Sequence, residues 1–404
     1  MASAVSDPAA DIGGLYDTVP YGGGAQVRLS LARVRGAAAA LGFAPSVGPV
    51  LDVLDIGCGA GAQLLLAAQE SSGRMVGIDA SAVACAEARA RGAELGERWQ
   101  ILHGDAALLD PPILDPGVLG QFDVIYVIGT LYILPAAARG RLLAGLGACL
   151  KPGGVVVMNY YAGMVGLART RLGRMLFAQN DPAWPVGWQL ATARANLQAI
   201  ADAVPEAGVA RELVLSTLSS MAASTDTVLF HEALGPEFET LATAEIEAAL
   251  AGGGVAFLNY LPPAPVSDGT ASRAAAQAVD AWDFATGGGY RVALFGFGAA
   301  VAAGGVRHPG LVWTSTLQAA AAEDGVACFA DAEHGLVFRA ADPVAQAAVE
   351  CLVAAPRDWA ELGAATRNWL GLRALAVPEG FEATLEALLL LLWRVTAAYP
   401  ALRE

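Results

Sequence analysis

Lysine is almost missing from this chain: Lys151 is the only one among 24 basic residues, and the rest are arginine. Against 39 acidic residues the net charge is −15. That excludes the basic contact stripe on which nucleic-acid binding rests, so no nucleic-acid partner is expected. Histidine (4) and cysteine (5) are also scarce. There is no CxxC pair, and no histidine has ligand partners at metal spacing, so no metal site is read. An odd, scattered set of cysteines points to free buried thiols in a reducing compartment, with the cytoplasm as the expected location. Long apolar runs are lacking as well, although the mean hydropathy is positive. The runs at 387–393 and 292–306 are closed by charges, and both fall short of the ~20 residues a membrane span needs. Residues 1–14 have no basic segment followed by a long apolar one, so no signal peptide is read.

What is present is core-forming material. Hydrophobic residues make up 55% of 404, and charged residues 16%, which rules out global disorder and suggests two or three structural units. A turn-rich stretch from Tyr16 to Gly24 leads into an alanine-rich helical segment ending near Gly42. From Val50 onward, short apolar runs (50–56, 75–78, 99–103, 122–128, 154–158) alternate with helix-forming segments. This texture predicts βαβ units around a doubly wound, Rossmann-like parallel sheet, an α/β fold. Beyond Tyr161 the chain is helical to about Val204. Strand-like runs are then expected at 227–230, just before His231 and Glu232, and at 255–258. The Pro- and Gly-rich stretch 262–269 is the best linker. The division expected is therefore 1–165, 166–268 and 269–404, the last a smaller α+β, winged-helix-like unit with a strand near Val337 and a helix from about Pro343.

The sharpest feature is the loop Asp55-Ile-Gly57-Cys58-Gly59-Ala-Gly61, set between a buried strand and a helix. Glycines are placed where backbone approaches a ligand closely or takes positive φ, and such a loop lies at the carboxyl end of its strand. The spacing is G-x-G-x-G rather than G-x-G-x-x-G. An acid ending the second strand, Asp79, suits two ribose hydroxyls in an NAD or an S-adenosylmethionine site alike. Gly104-Asp105-Ala106 closes the third strand, and Lys151-Pro-Gly-Gly154 turns into the fifth. With these motifs in this order, residues 50–160 resemble class I S-adenosylmethionine-dependent methyltransferases. The resemblance implies that Asp55, Gly57, Cys58, Gly59 and Gly61 surround the methionine end of the cofactor. It also implies that Asp79 and Ala80 meet the ribose, that Asp105 and Ala106 meet the adenine, and that Ile128 and Gly129 lie beside the reactive methyl. Cys58 reads as a small filler, not a nucleophile.

A narrower resemblance lies outside that core. Tyr16-Asp-Thr-Val-Pro-Tyr21, Asn159-Tyr-Tyr161-Ala-Gly163 and Phe230-His231-Glu232-Ala-Leu234 resemble segments of methyltransferases that carry a methyltransferase regulatory domain. That subgroup includes bacterial protein lysine methyltransferases; this chain departs from its pattern at Ile128 and Met158. From the chemistry of an amine acceptor, the tyrosines flanking the methyl site, Tyr16, Tyr21, Tyr132, Tyr160 and Tyr161, are expected to shape an acceptor pocket, with His231 as the general-base candidate. Tyr132 and Tyr160 are read equally as packing aromatics, and His231 with Glu232 as a structural pair. Three functions stay open: methyl transfer to a protein amine or other bulky acceptor, methyl transfer to a small molecule, and cofactor binding without turnover. The oligomeric state is left open, a dimer included.

Overall fold

The structure is a computed structural model and describes residues 12–104, 115–208, 211–265, 273–298, 305–331 and 335–402. Seven strands form the central sheet: β1 (Val53–Ile56), β2 (Met75–Asp79), β3 (Trp99–His103), β4 (Phe122–Val127), β5 (Leu150–Ala162), β6 (Val255–Tyr260) and β7 (Gly289–Phe297). Their order is β3-β2-β1-β4-β5-β7-β6. The first five pair in parallel, and β7 runs antiparallel between β5 and β6. β1 and β4 are buried along their whole length, which is why they read as unbroken apolar runs instead of alternating ones. Strand order reverses between β1 and β4, and the crevice beyond their carboxyl ends is where ligands bind in such sheets.

Lys151 closes the other end of the sheet. Its Nζ lies 2.7 Å from Asp123 and 3.0 Å from Asp52. Burial alone lowers its pKa, but the two carboxylates outweigh that and hold it above the ordinary value.

Between β5 and β6 four helices, Gly163–Ala178, Val186–Ala203, Arg211–Ala222 and Asp226–Ala233, gather a small core of their own around Leu176, Leu197, Met221 and Phe230. The last of these replaces the strand expected at 227–230. Four β-formers in a row carry no period that separates a strand from a buried helix. The cap decides: the Thr225 side chain accepts a hydrogen bond from the Val228 amide, and the helix follows. Residues 12–18 are likewise helical where a turn-rich stretch was expected to begin. Gly13 and Gly14 are poor helix formers, so the reason is docking. A Cβ on Gly13 would stand 2.4 Å from the Ala80 carbonyl oxygen, and Asp17 accepts hydrogen bonds from the Ser81 hydroxyl and the Val83 amide.

The remaining strands are β8 (Leu311–Ser315), β9 (Gln318–Glu323), β10 (Val326–Asp331), β11 (Leu336–Ala340), β12 (Arg357–Asp358) and β13 (Ala398–Leu402). They form two three-stranded sheets, β11-β10-β9 and β12-β8-β13. Strand β11 and helix Pro343–Ala354 stand where the sequence places a strand and a helix. This part shares one continuous core with helix Leu31–Ala40 and one face of the central sheet. β7 lies beyond the boundary expected at 268 and is embedded in the sheet, so the central sheet extends through about residue 297. All five cysteines are free and buried. Among the described residues no helix is long and apolar enough to cross a membrane.

Candidate active site

The glycine loop follows β1 and is tied sideways to β2: the Gly57 and Cys58 amides both donate to the Ile78 carbonyl, at 2.8 and 3.1 Å. Gly57 has φ +77°, and a Cβ there would lie 1.9 Å from Thr130 Oγ1, so no side chain fits. Thr130 in turn donates to the Ile56 carbonyl at 3.1 Å, locking the turn after β4 to the turn after β1. Cys58 fills space against Gly77, and burial pushes its thiol pKa up. That is the packing role expected of it. Gly59 and Gly61 also have positive φ, and helix Ala62–Glu70 begins there, pointing its N-terminus at the crevice.

Two acids face this loop. Asp79 accepts hydrogen bonds from the Gly59 amide (2.7 Å) and the Ser81 amide (2.8 Å), yet burial still raises its pKa. Asp55 is 2% exposed, and no hydrogen bond among the described residues reaches its carboxylate. Burial, then the charge of Asp79, pushes its pKa up to about 7. Asp105 and Ala106 lie outside the described residues.

A cavity of about 460 Å³ opens over Asp55, Asp79, Ala80, Ile128 and Gly129. Its opposite wall is aromatic. Tyr16 stacks on His231 with ring centroids 3.9 Å apart and planes 9° apart, and Tyr21 lies 5.9 Å from the same imidazole. His231 Nε2 is 2.7 Å from the Val19 carbonyl oxygen and donates to it. Nδ1 is buried without a partner among the described residues, and burial lowers the pKa of the ring. Beside it, Glu232 is clamped by the Arg169 guanidinium at 2.6 and 3.1 Å. It also accepts from the hydroxyls of Tyr161 (3.1 Å) and Tyr132 (3.4 Å). The Gly129 amide donates to Asn159 Oδ1 at 2.7 Å, and Asn159 Nδ2 donates to the Tyr290 hydroxyl.

Tyr16, Tyr21, Tyr132, Tyr161 and His231 therefore meet around one cavity with the glycine loop. Tyr160 does not: it is fully buried on the far side of β5, hydrogen-bonded to Thr243 at 2.9 Å. Alternation along a strand puts neighbours on opposite faces. Two members of the site escape sequence reasoning. Arg169 looks like any helix-surface arginine until it is seen facing Glu232. Tyr290 sits some 130 residues from Asn159, and the glycine triplet before it (287–289) is its only signal.

Residues 53–154 match the family model of the methyltransferase domain. The strand order, the glycine loop and the acid at the end of β2 agree with it. The chain carries a class I S-adenosylmethionine-dependent methyltransferase domain. The site fits that cofactor: Asp55 is a buried acid with no hydrogen-bond partner among the described residues, and Thr130 leaves no room for a Cβ at Gly57 in the loop. The methyltransferase is similar along nearly its whole length to PKMT2 from Rickettsia typhi. The structure of PKMT2 in complex with AdoHcy superposes with a TM-score of 0.77 at 16% identity, covering 95% of this chain and 78% of that one. A second structure of PKMT2 gives 0.76 at 15% identity, over 94% and 77%. At such identities the likeness is one of fold, and it includes the C-terminal third.

Proposed function

We propose that this methyltransferase methylates an amine of the lysine type on a protein acceptor. The observation that carries the reading is the meeting of four tyrosines (Tyr16, Tyr21, Tyr132, Tyr161) and the Glu232 carboxylate across the cavity from the glycine loop. The segments behind the narrower family resemblance supply all of these groups but Tyr132, although they are far apart in sequence. PKMT2, whose fold the chain shares, is described in complex with AdoHcy.

In this reading Asp55 with the Gly57–Gly61 loop binds the methionine end of the cofactor, Asp79 and Ala80 the ribose, and Asp105 and Ala106 the adenine. Ile128 and Gly129 border the methyl group. Bound S-adenosylmethionine supplies a sulfonium-activated methyl group for an in-line displacement. The protein's part is to hold the acceptor nitrogen in line, and orientation of this kind lowers a barrier by ~7–11 kcal/mol.

A lysine amine has a reference pKa of ~10.4 and must lose a proton first, which at pH 7 costs roughly 4–5 kcal/mol. Burial against aromatic walls lowers that cost by disfavouring the cation. Arg169, already paired with Glu232, adds positive charge nearby. Ring faces steer the amine on entry, and hydroxyl oxygens orient its remaining N–H bonds. We assign His231 to positioning, because its donating nitrogen holds Val19 and its other nitrogen is closed off from solvent. It thereby fixes the Tyr16–Tyr21 segment over the cavity.

The test is transfer of labelled methyl groups from S-adenosylmethionine into a host lysate, separated into protein and small-molecule fractions. Label recovered as methyl-lysine in protein is expected; label confined to small molecules refutes the reading.

A further inference from the structure

A second cavity, of about 540 Å³, adjoins the tyrosine pocket, and Gln26 and Tyr290 line both. It forms where the segment before and within helix Leu31–Ala40, the start of β7 and the end of the chain come together. In a chain of net charge −15 it gathers Arg28, Arg33, Arg291 and Arg394, and among the described residues no Asp or Glu lines it.

The four cations are not equivalent. Arg291 is paired with Asp283 at 2.6 Å, and its guanidinium lies 5.0 Å from the Trp282 ring and 5.6 Å from that of Tyr260. Arg33 lies over Tyr399 at 4.8 Å. Neither Arg33 nor Arg394 meets a carboxylate among the described residues. Tyr399 is 7% exposed, and its hydroxyl is buried beside Thr396. The pocket thus offers guanidinium groups with unfilled donor capacity, set among Trp282, Trp393, Tyr260 and Tyr399. Guanidinium donors in a fork match a carboxylate in pairs, and the rings suit the methylene stem that carries one.

We propose that this cavity binds a Glu or Asp side chain of the acceptor protein, a few residues along the chain from the lysine in the tyrosine pocket. The proposal rests on the protein-amine reading for its geometry: it takes one extended segment of the acceptor to reach both cavities, whose linings share Gln26 and Tyr290. An extended chain advances at most ~3.3–3.6 Å per residue, so cavities that share lining residues call for an acidic residue close in sequence to the lysine. The result is selection of lysines in acidic surroundings by a protein whose overall charge is itself negative. The recognition is local and differs from long-range attraction.

The experiment uses the full chain saturated with S-adenosylhomocysteine and two fluorescein-labelled peptides, Gly-Glu-Glu-Lys-Glu-Glu-Gly and its glutamine counterpart. By anisotropy the acidic peptide is expected to bind about tenfold more tightly, the scale of one charge-assisted pair. In the double variant Arg33→Gln/Arg394→Gln that preference should fall below about twofold while S-adenosylhomocysteine affinity is unchanged. Equal binding of the two peptides by the unaltered protein overturns the proposal. So does an acid preference that survives in the double variant. A third peptide with norleucine for lysine keeps the two readings apart. Acid preference retained with it, when the lysine peptide is not methylated, removes the amine reading and leaves the arginine cavity. Methylation of both lysine peptides without acid preference removes the cavity alone.

Discussion

Replacing Asp55 with Asn removes a carboxylate that the fold holds away from water and beside a second acid. Its pKa rises from 3.8 to about 7 on folding, first through burial and then through Asp79. The native state therefore keeps a proton that the unfolded chain releases, and stability falls as pH rises from about 4 through about 7. Below pH ~4 both states are protonated, and the group's relative contribution is fully present; above pH ~7 it is lost. A shift of roughly three units corresponds to ~4 kcal/mol, of which about 2–3 kcal/mol falls between pH 5 and pH 8. Urea denaturation of both proteins without cofactor, at pH 5, 6, 7 and 8, isolates the effect, because other titrations cancel in the difference. The stability of Asp55→Asn relative to the parent should rise by roughly 2–3 kcal/mol between pH 5 and pH 8. The same variant should bind S-adenosylhomocysteine at least about tenfold more weakly, the loss of a charge-assisted contact. A stability difference that is flat in pH, or that grows in the parent's favour as pH rises, refutes the reasoning.

Gly57→Ala should abolish cofactor binding and lower stability by more than ~1–2 kcal/mol, since strain at φ +77° adds to a Cβ 1.9 Å from Thr130 Oγ1. Calorimetry and thermal melts check this. Glu232→Ala leaves Arg169 buried without its carboxylate and should cost about 3–5 kcal/mol in urea. The pair Glu232→Gln/Arg169→Met should recover most of that loss, and a cost below about 1 kcal/mol for the single change would contradict a buried ion pair. His231→Ala should raise KM for acceptor and cofactor several-fold by freeing Val19 and Tyr16, a loss of ~1–2 kcal/mol. Its kcat should keep the parent's pH profile, and disappearance of an acidic limb would restore His231 as a base.

The parts of the fold fixed by local pattern were legible. Strands buried on both faces read as apolar runs, and the turn at Gly57–Gly61 marked the ligand edge of the sheet, whereas the turn expected at Lys151–Gly154 is part of β5. The structure placed Asp55, Gly57, Asp79, Ile128 and Gly129 around one cavity, because motif order along a doubly wound sheet dictates proximity at the switch point. Long-range partners were not legible. Arg169 finds Glu232 only through packing of the helical insertion, and Tyr290 reaches Asn159 only because β7 pairs antiparallel with β5. The expected boundary at 268 missed the same pairing: the proline-rich stretch looks like a linker, yet the chain returns to the sheet after it. Tyr160 and Tyr161 illustrate the limit in miniature, since adjacent residues on one strand face opposite cores.

Calorimetric titration of the purified chain with S-adenosylhomocysteine at pH 8 tests the central claim most directly, that the pocket beside the β1 glycine loop is built for this nucleoside. One equivalent bound per chain in the unaltered protein, with binding lost in Gly57→Ala, is the expected result. No heat of binding, or binding unchanged in Gly57→Ala, would contradict it.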